Sequence, residues 1–144
     1  MDTILSFLRN LEANNNKPWF DAHKSEYQEA RAHFNAIVER LIDGITAFDS
    51  SVKGVGIKES TYRIHKDMRF SKDGLPYKTH FGAFICRGGK KSGYSGYYFH
   101  IGTGNGDEYP CRSFLAVGNY YIEPKVLKIL REDIELGGGD FERI

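Results

Sequence analysis

Apolar positions in the first fifty residues recur at intervals of three and four, and from about residue 60 the interval changes to two. Ile4, Leu5, Leu8 and Leu11 with Phe7 predict a first amphipathic helix, with Asn14-Asn15-Asn16 supplying residues that tolerate left-handed geometry at its end. Pro18 fits the first turn of a short helical piece carrying Trp19 and Phe20, because its missing N–H would have no intrahelical partner there. Ser25 with Gln28 reads as a capping box. It opens a long helix whose stripe is Tyr27, Phe34, Ile37, Val38, Leu41, Ile45 and Phe48.

Period two then predicts strands over 62–66, 81–86, 97–101 and 114–117, all rich in aromatic and β-branched residues. The glycine-rich stretch at 88–93 and Asn105-Gly106 carry hairpin chemistry, and no helical segment intervenes as a parallel crossover requires, so the sheet is expected to be antiparallel. Pro124 opens a last helix with Val126, Leu127, Leu130 and Ile134 on one side, ended by Gly137-Gly138-Gly139. The predicted fold class is α+β, an antiparallel sheet packed by N-terminal and C-terminal helices. It forms one domain over 1–144, helical in 1–50, mostly β in 55–120 and helical in 124–144. Asp140 is a good N-cap, and Phe141 with Ile144 has the spacing of an apolar helix face that stops after one turn. The expectation is a domain truncated at its C-terminus that either self-associates through the face left uncovered or is less stable than a form extended at that end.

Composition narrows the class. With 40% hydrophobic and 27% charged residues the chain is an ordinary globular sequence, long enough to need neither disulfide nor metal for stability. No run approaches the ~20 apolar residues of a membrane span, and Met1-Asp2-Thr3 lacks the basic start of a signal peptide, so a cytoplasmic protein without membrane contact is expected. Cys86 and Cys111 form no CxxC pair and read as thiols in a reducing compartment.

The net charge of +1 conceals an asymmetry: residues 58–91 carry a local +6. Within them, Tyr62-Arg63-Ile64-His65-Lys66-Asp67-Met68-Arg69-Phe70 carries the chemistry. If it stays extended, Arg63, His65, Asp67 and Arg69 share one face, and Tyr62, Ile64, Met68 and Phe70 share the other, against the core. Two guanidiniums at that spacing converge on a phosphate or carboxylate by forked hydrogen bonds, and a carboxylate between them holds one in position. The same residues would also serve as a cross-strand salt-bridge network on a solvated face. Ser71-Lys72-Asp73-Gly74 is a tight turn after which Tyr77 and Lys78 fold back towards the ladder.

Here the chain resembles a known family. Asn15-Asn16-Lys17-Pro18-Trp19-Phe20-Asp21, Lys24 with Tyr27, the run from Arg63 to Asp73, Pro76-Tyr77-Lys78 and Gly96-Tyr97-Tyr98-Phe99-His100 together resemble the bacterial domain of unknown function 2461. Carried over by position, Arg63, Asp67, Arg69, Phe70, Asp73 and Tyr77 match its signature. Lys66 stands where the family usually has Arg and keeps charge without the fork; Gly74 stands where it usually has Lys and removes a cation. Members usually run beyond residue 144, in line with the truncation expectation. The resemblance implies no activity, since the family is uncharacterised, but it marks this basic segment as the family's signature.

The functional expectation is a small anionic-ligand site, for phosphate or carboxylate, on Arg63, Arg69, Lys78 and Lys66. Asp67, Asp73 and Phe70 would orient it, and Asp67, His65 and Tyr77 are the candidates should it be catalytic. The alternatives are a nucleic-acid-binding module using the whole basic segment, with Tyr94, Tyr97 and Tyr98 beside Lys90 and Lys91 stacking on bases, and an interaction domain docking an acidic protein. No metal or cofactor is expected. His65, His80 and His100 contain no closely spaced ligand pair, and the glycine-rich stretches lack the helix and lysine of a phosphate loop.

Overall fold

The computed structural model describes residues 1–69, 71, 74–104, 112–119 and 122–141. Helices α1 (Asp2–Ala13), α2 (Lys17–Ala22) and α3 (Lys24–Thr46) lead through a 3-10 turn at Ser50–Val52 into the short α4 (Ile57–Ser60). Strands β1 (His80–Cys86), β2 (Gly96–Thr103) and β3 (Arg112–Gly118) follow, and α5 (Pro124–Phe141) ends the described chain. The sheet order is β1-β2-β3 with both pairs antiparallel, so the fold is α+β.

Alternation along the strands sorts the sheet into two faces. Phe81, Ala83 and Ile85 of β1 and Ile101 of β2 are buried together with Ile4, Phe7, Leu8 and Leu11 of α1 and with Ala30, Phe34, Val38 and Ile45 of α3. Phe34 stacks on Phe81 at 5.2 Å and on Phe99 at 5.8 Å between ring centroids, which joins α3 to the middle of the sheet. Along α5, Val126, Ile129, Leu130 and Ile134 remain exposed, so the layer against the sheet is supplied by the N-terminal helices. Gly137 has non-helical angles (φ −122, ψ 16), which places the expected break at the first of the three glycines, while the helical assignment resumes to Phe141. Asn105, Gly106, Cys111 and Ile144 lie outside the described residues.

Several local expectations are corrected. No described residue other than glycine has positive φ; Asn14 sits at φ −135, and the three asparagines act through their side chains instead. Asn14 Nδ2 donates to the Asn10 carbonyl, and Asn16 Oδ1 caps α2 by accepting from the Trp19 N–H at 3.0 Å. The capping box at Ser25 does not form, because α2 runs into α3 through a single residue, His23, which takes the N-cap position and leaves Ser25 inside the helix. Phe48 falls beyond the end of α3 and is 71% exposed, touching only the edge of Tyr97 among described rings.

The expected strand over 62–66 is divided between two partners. Arg31 of α3 donates to the Tyr62 carbonyl (2.8 Å) and to Thr61 Oγ1 (2.6 Å), holding this corner where Thr61 bridges Ala83 and the Tyr62 N–H reaches the Gly82 carbonyl. The chain then leaves β1 and pairs with 76–78: His65 bridges Tyr77, Lys66 N–H donates to Pro76, and Lys78 N–H donates to Ile64. Ile64 is buried as alternation requires, but Met68 is 48% exposed. The chain is already turning at Met68 and Arg69, so the period-two ladder ends before it reaches them.

Candidate functional site

The ribbon formed by 64–66 and 76–78 distributes the basic residues. Antiparallel partners share a face and neighbours alternate, so His65 and Tyr77 point one way and Lys78 the other. Tyr77 is buried with its ring stacked on Phe20 at 4.0 Å, and His65 meets the edges of both rings. Together with Lys66, Lys17 and Tyr27 they line a cleft of about 460 Å³ against α2 and α3. Burial raises the Tyr77 phenol above its ordinary value.

Lys78 lines a different and larger cleft, about 670 Å³, on the sheet face opposite α1 and α3. Tyr62, His80, Phe84, Tyr98 and Phe114 line it as well. Period two explains the set: Phe84, Tyr98 and Ala116 are cross-strand partners, as are Gly82, His100 and Phe114. The imidazoles of His80 and His100 stack at 4.5 Å, His100 stacks on Phe114 at 4.9 Å, and the Tyr98 hydroxyl lies 3.1 Å from His100 Nδ1. Gly82 leaves room for this arrangement, since a Cβ there would sit 2.9 Å from the Tyr98 hydroxyl. At the far wall Asn119 Nδ2 donates to the Gly93 carbonyl, tying the end of β3 to the β1–β2 loop.

Electrostatics distinguish the cleft. Burial, followed by the positive charges of Arg63 and Lys66, lowers the Lys78 ammonium below the ordinary lysine value; its Nζ stands 5.6 Å from the centre of the Tyr62 ring. Among the described residues no carboxylate forms an ion pair with it. Burial pushes His80 down to about 3, helped by His100 and then by Lys78 and Lys66, and burial also lowers His100, so both rings are neutral at pH 7. Lys90, at the rim, donates to the Lys58 carbonyl at 2.6 Å.

Asp67 and Arg69 form a local unit. Arg69 Nε and Nη2 donate to the two oxygens of Asp67 at 2.9 and 2.7 Å, and the Arg69 backbone N–H adds a longer bond. The Arg69 hydrogen bonds hold the Asp67 carboxyl below its usual range, with Arg63 contributing from nearby. The pair is held by a turn between neighbours in the chain, not by a strand ladder. Arg63, Arg69 and Asp67 line neither cleft, and Phe70 and Asp73 lie outside the described residues. The arrangement therefore brings Arg63, Lys66 and Lys78 into electrostatic reach of one another, with Asp67 beside Arg63, but separates Lys78 from His65 and Tyr77. Sequence reasoning missed Tyr62, Phe84 and Phe114 as site residues, although their alternation with buried neighbours was the available signal. Tyr97, weighed there as a stacking residue, donates instead to Asp49 Oδ2 at 3.0 Å.

Asn15 fixes the ribbon to the helices. Its Nδ2 donates to the Tyr77 carbonyl (2.9 Å) and its Oδ1 accepts from the Tyr77 N–H (3.1 Å), so one amide side chain acts as a strand partner across 62 positions of sequence. Asn15→Ala should cost about 1–3 kcal/mol, because two partly buried backbone groups lose their partners. Urea denaturation checks the loss, and amide exchange should localise it to Tyr77; wild-type protection of that amide in the variant would contradict the clamp.

No described helix is long and apolar enough to cross a membrane. No curated protein and no solved structure matches the chain. A family model, described as conserved hypothetical protein, matches residues 3–144. That match takes in both clefts, the Asp67–Arg69 turn and the asparagine clamp, and the chain belongs to this family, the domain of unknown function 2461.

Proposed function

We propose that this domain binds a small anion, a phosphate or a carboxylate, at Lys78, with Arg63 and Lys66 adding their field. The observation that carries the reading is the Lys78 ammonium: partly buried, crowded by two like charges, and unpaired with any described carboxylate. A cation withdrawn from water under those conditions is disfavoured, and an anion beside it recovers the lost interaction. Arg69, with its fork on Asp67, is not required for first contact. The anionic ligand belongs to the larger cleft, where Tyr62, Tyr98 and the neutral His80 imidazole add polar atoms to a lining rich in aromatic rings.

The test is thermal melting with phosphate, sulfate and malonate at constant ionic strength. A ligand at 100 times its Kd that binds only the native state stabilises by about 2.7 kcal/mol. Wild type should show a saturable rise in Tm with at least one of these anions. Lys78→Met, which keeps the packing of the stem and removes the charge, should melt near wild type without ligand and lose that rise. Absence of any anion-dependent shift in wild type would overturn the reading.

A further inference from the structure

We infer that the ligand of this cleft is a dicarboxylate whose two acidic groups stand at opposite ends of an apolar body, one at Lys78 and the other at Lys90. This deepens the anion reading and rests on it. Strand β1 sets the two cations apart: Lys78 lies two residues before its start at His80, and Lys90 lies in the loop that follows Cys86. A strand of seven residues extends for roughly 20 Å. Both lysines nevertheless line one cleft of about 670 Å³, together with His80 and Phe84 of the strand between them. That volume is in the range of sites that enclose whole metabolite-sized molecules, and a bare phosphate or malonate can meet only one end of it. The loop is fixed where Lys90 enters the cleft, since the Lys90 N–H donates to the Glu59 carbonyl and Nζ donates to the Lys58 carbonyl at 2.6 Å. An ammonium has three donors, so two remain for a ligand.

Between the two cations the floor is rich in carbon. Phe84, Tyr98 and Ala116 are partners across the three strands, and Phe114 sits one row nearer Lys78, its ring 5.6 Å from that of Tyr98. An apolar body laid on these rings removes carbon surface from water. It takes no partner from the Tyr98 hydroxyl, which already meets His100 Nδ1 at 3.1 Å. The charge count selects carboxylates for the two ends. One lysine lines the cleft at each end, and one ammonium balances one carboxylate, whereas the second charge of a phosphate would rest against ring faces that are themselves negative. Burial lowers the ammonium at either end below the ordinary lysine value; at Lys90, Glu59 opposes the shift and Lys91 and Arg31 add to it. Each cation therefore recovers interaction from a carboxylate brought beside it.

The experiment is calorimetric titration of the wild-type domain at fixed ionic strength. The probes are inorganic phosphate, malonate, the dicarboxylates pimelate, azelate and sebacate, and the monocarboxylates heptanoate, nonanoate and decanoate that match them in length. At least one long dicarboxylate should bind about tenfold or more tightly than both malonate and its matched monocarboxylate, the factor expected when a second charge-assisted hydrogen bond forms. Lys90→Met should reduce that dicarboxylate to the affinity of the monocarboxylate, and Lys90→Arg, which keeps a charge at the same end, should retain most of the advantage. Long dicarboxylates that bind no more tightly than malonate or their matched monocarboxylates would overturn the two-ended ligand and leave the anion reading standing. An advantage that survives Lys90→Met would overturn the assignment of the second end. Failure of every anion to bind, phosphate included, would overturn both readings.

Discussion

Replacing Phe34 with alanine should cost about 3–5 kcal/mol of folding stability, the range for deleting a buried phenyl ring from a packed core. Phe34 is fully buried on α3, stacked on Phe81 and nearly parallel to Phe99, and the Arg31 guanidinium stands 5.7 Å from its centre. Its removal opens a void where helix, sheet and the Thr61–Tyr62 corner meet. Against a typical total of about 5–15 kcal/mol for a domain, such a loss leaves a variant close to unfolding at 37 °C. Phe48→Ala, on the same stripe in the sequence but 71% exposed, should change stability by no more than about 0.5 kcal/mol. Urea midpoints of the two variants decide this. Similar losses for both would show that α3 ends its packing elsewhere than at Ile45.

Acidification should destabilise the domain well above the usual carboxylate range. The folded pKa of His80, pushed down to about 3, lies below its unfolded value of 6.5, so the unfolded chain binds the proton more readily. The associated stability is fully present above pH 6.5 and is lost as pH falls towards 3. One such group changes stability by at most ~1.4 kcal/mol per pH unit, so the loss between pH 6.5 and 4.5 should be about 2 kcal/mol. His100, lowered by burial, acts in the same direction. Asp67 and Asp49, whose carboxyls are held low by hydrogen bonds, lose their contributions only at more acid pH. His80→Asn should flatten the dependence between pH 6.5 and 4.5. A wild-type domain whose Tm is constant there would show that His80 is freely protonated on the sheet.

Both predictions depend on which face of each element is covered, and this marks the limit of what the sequence disclosed. Alternation in 81–86 and 97–101 disclosed strands, as the three-and-four spacing disclosed α1 and α3, because period two and period 3.6 are local properties; that Phe81, Ile85 and Ile101 share one layer with those helices is shown by the structure. The segment after Tyr62 obeys the same alternation at Ile64, yet its partners are Gly82 for one residue and Pro76–Lys78 for the next few, an exchange imposed by Arg31 and Asn15 from distant helices. Met68 departs from the pattern because a turn begins there. Lys78 was legible as a basic residue folding back, but its neighbours were not. That His80, Tyr98 and Phe114 share its face follows from strand register; that α1 and α3 do not cover this face follows from their lying on the other. The Asp67–Arg69 fork is a two-residue contact formed at a turn where alternation suggested a ladder.

Chemical-shift mapping tests the site at Lys78 most directly. Phosphate is titrated into the isotopically labelled domain at constant ionic strength while the backbone amides, lysine ammonium groups and histidine imidazoles are followed. The account predicts saturable shifts with one common Kd at Lys78, His80 and Tyr62, and much smaller ones at His65 and Tyr77 in the opposite cleft. Saturable shifts confined to the Asp67–Arg69 turn, or changes at Lys78 that grow linearly without saturating, would contradict it.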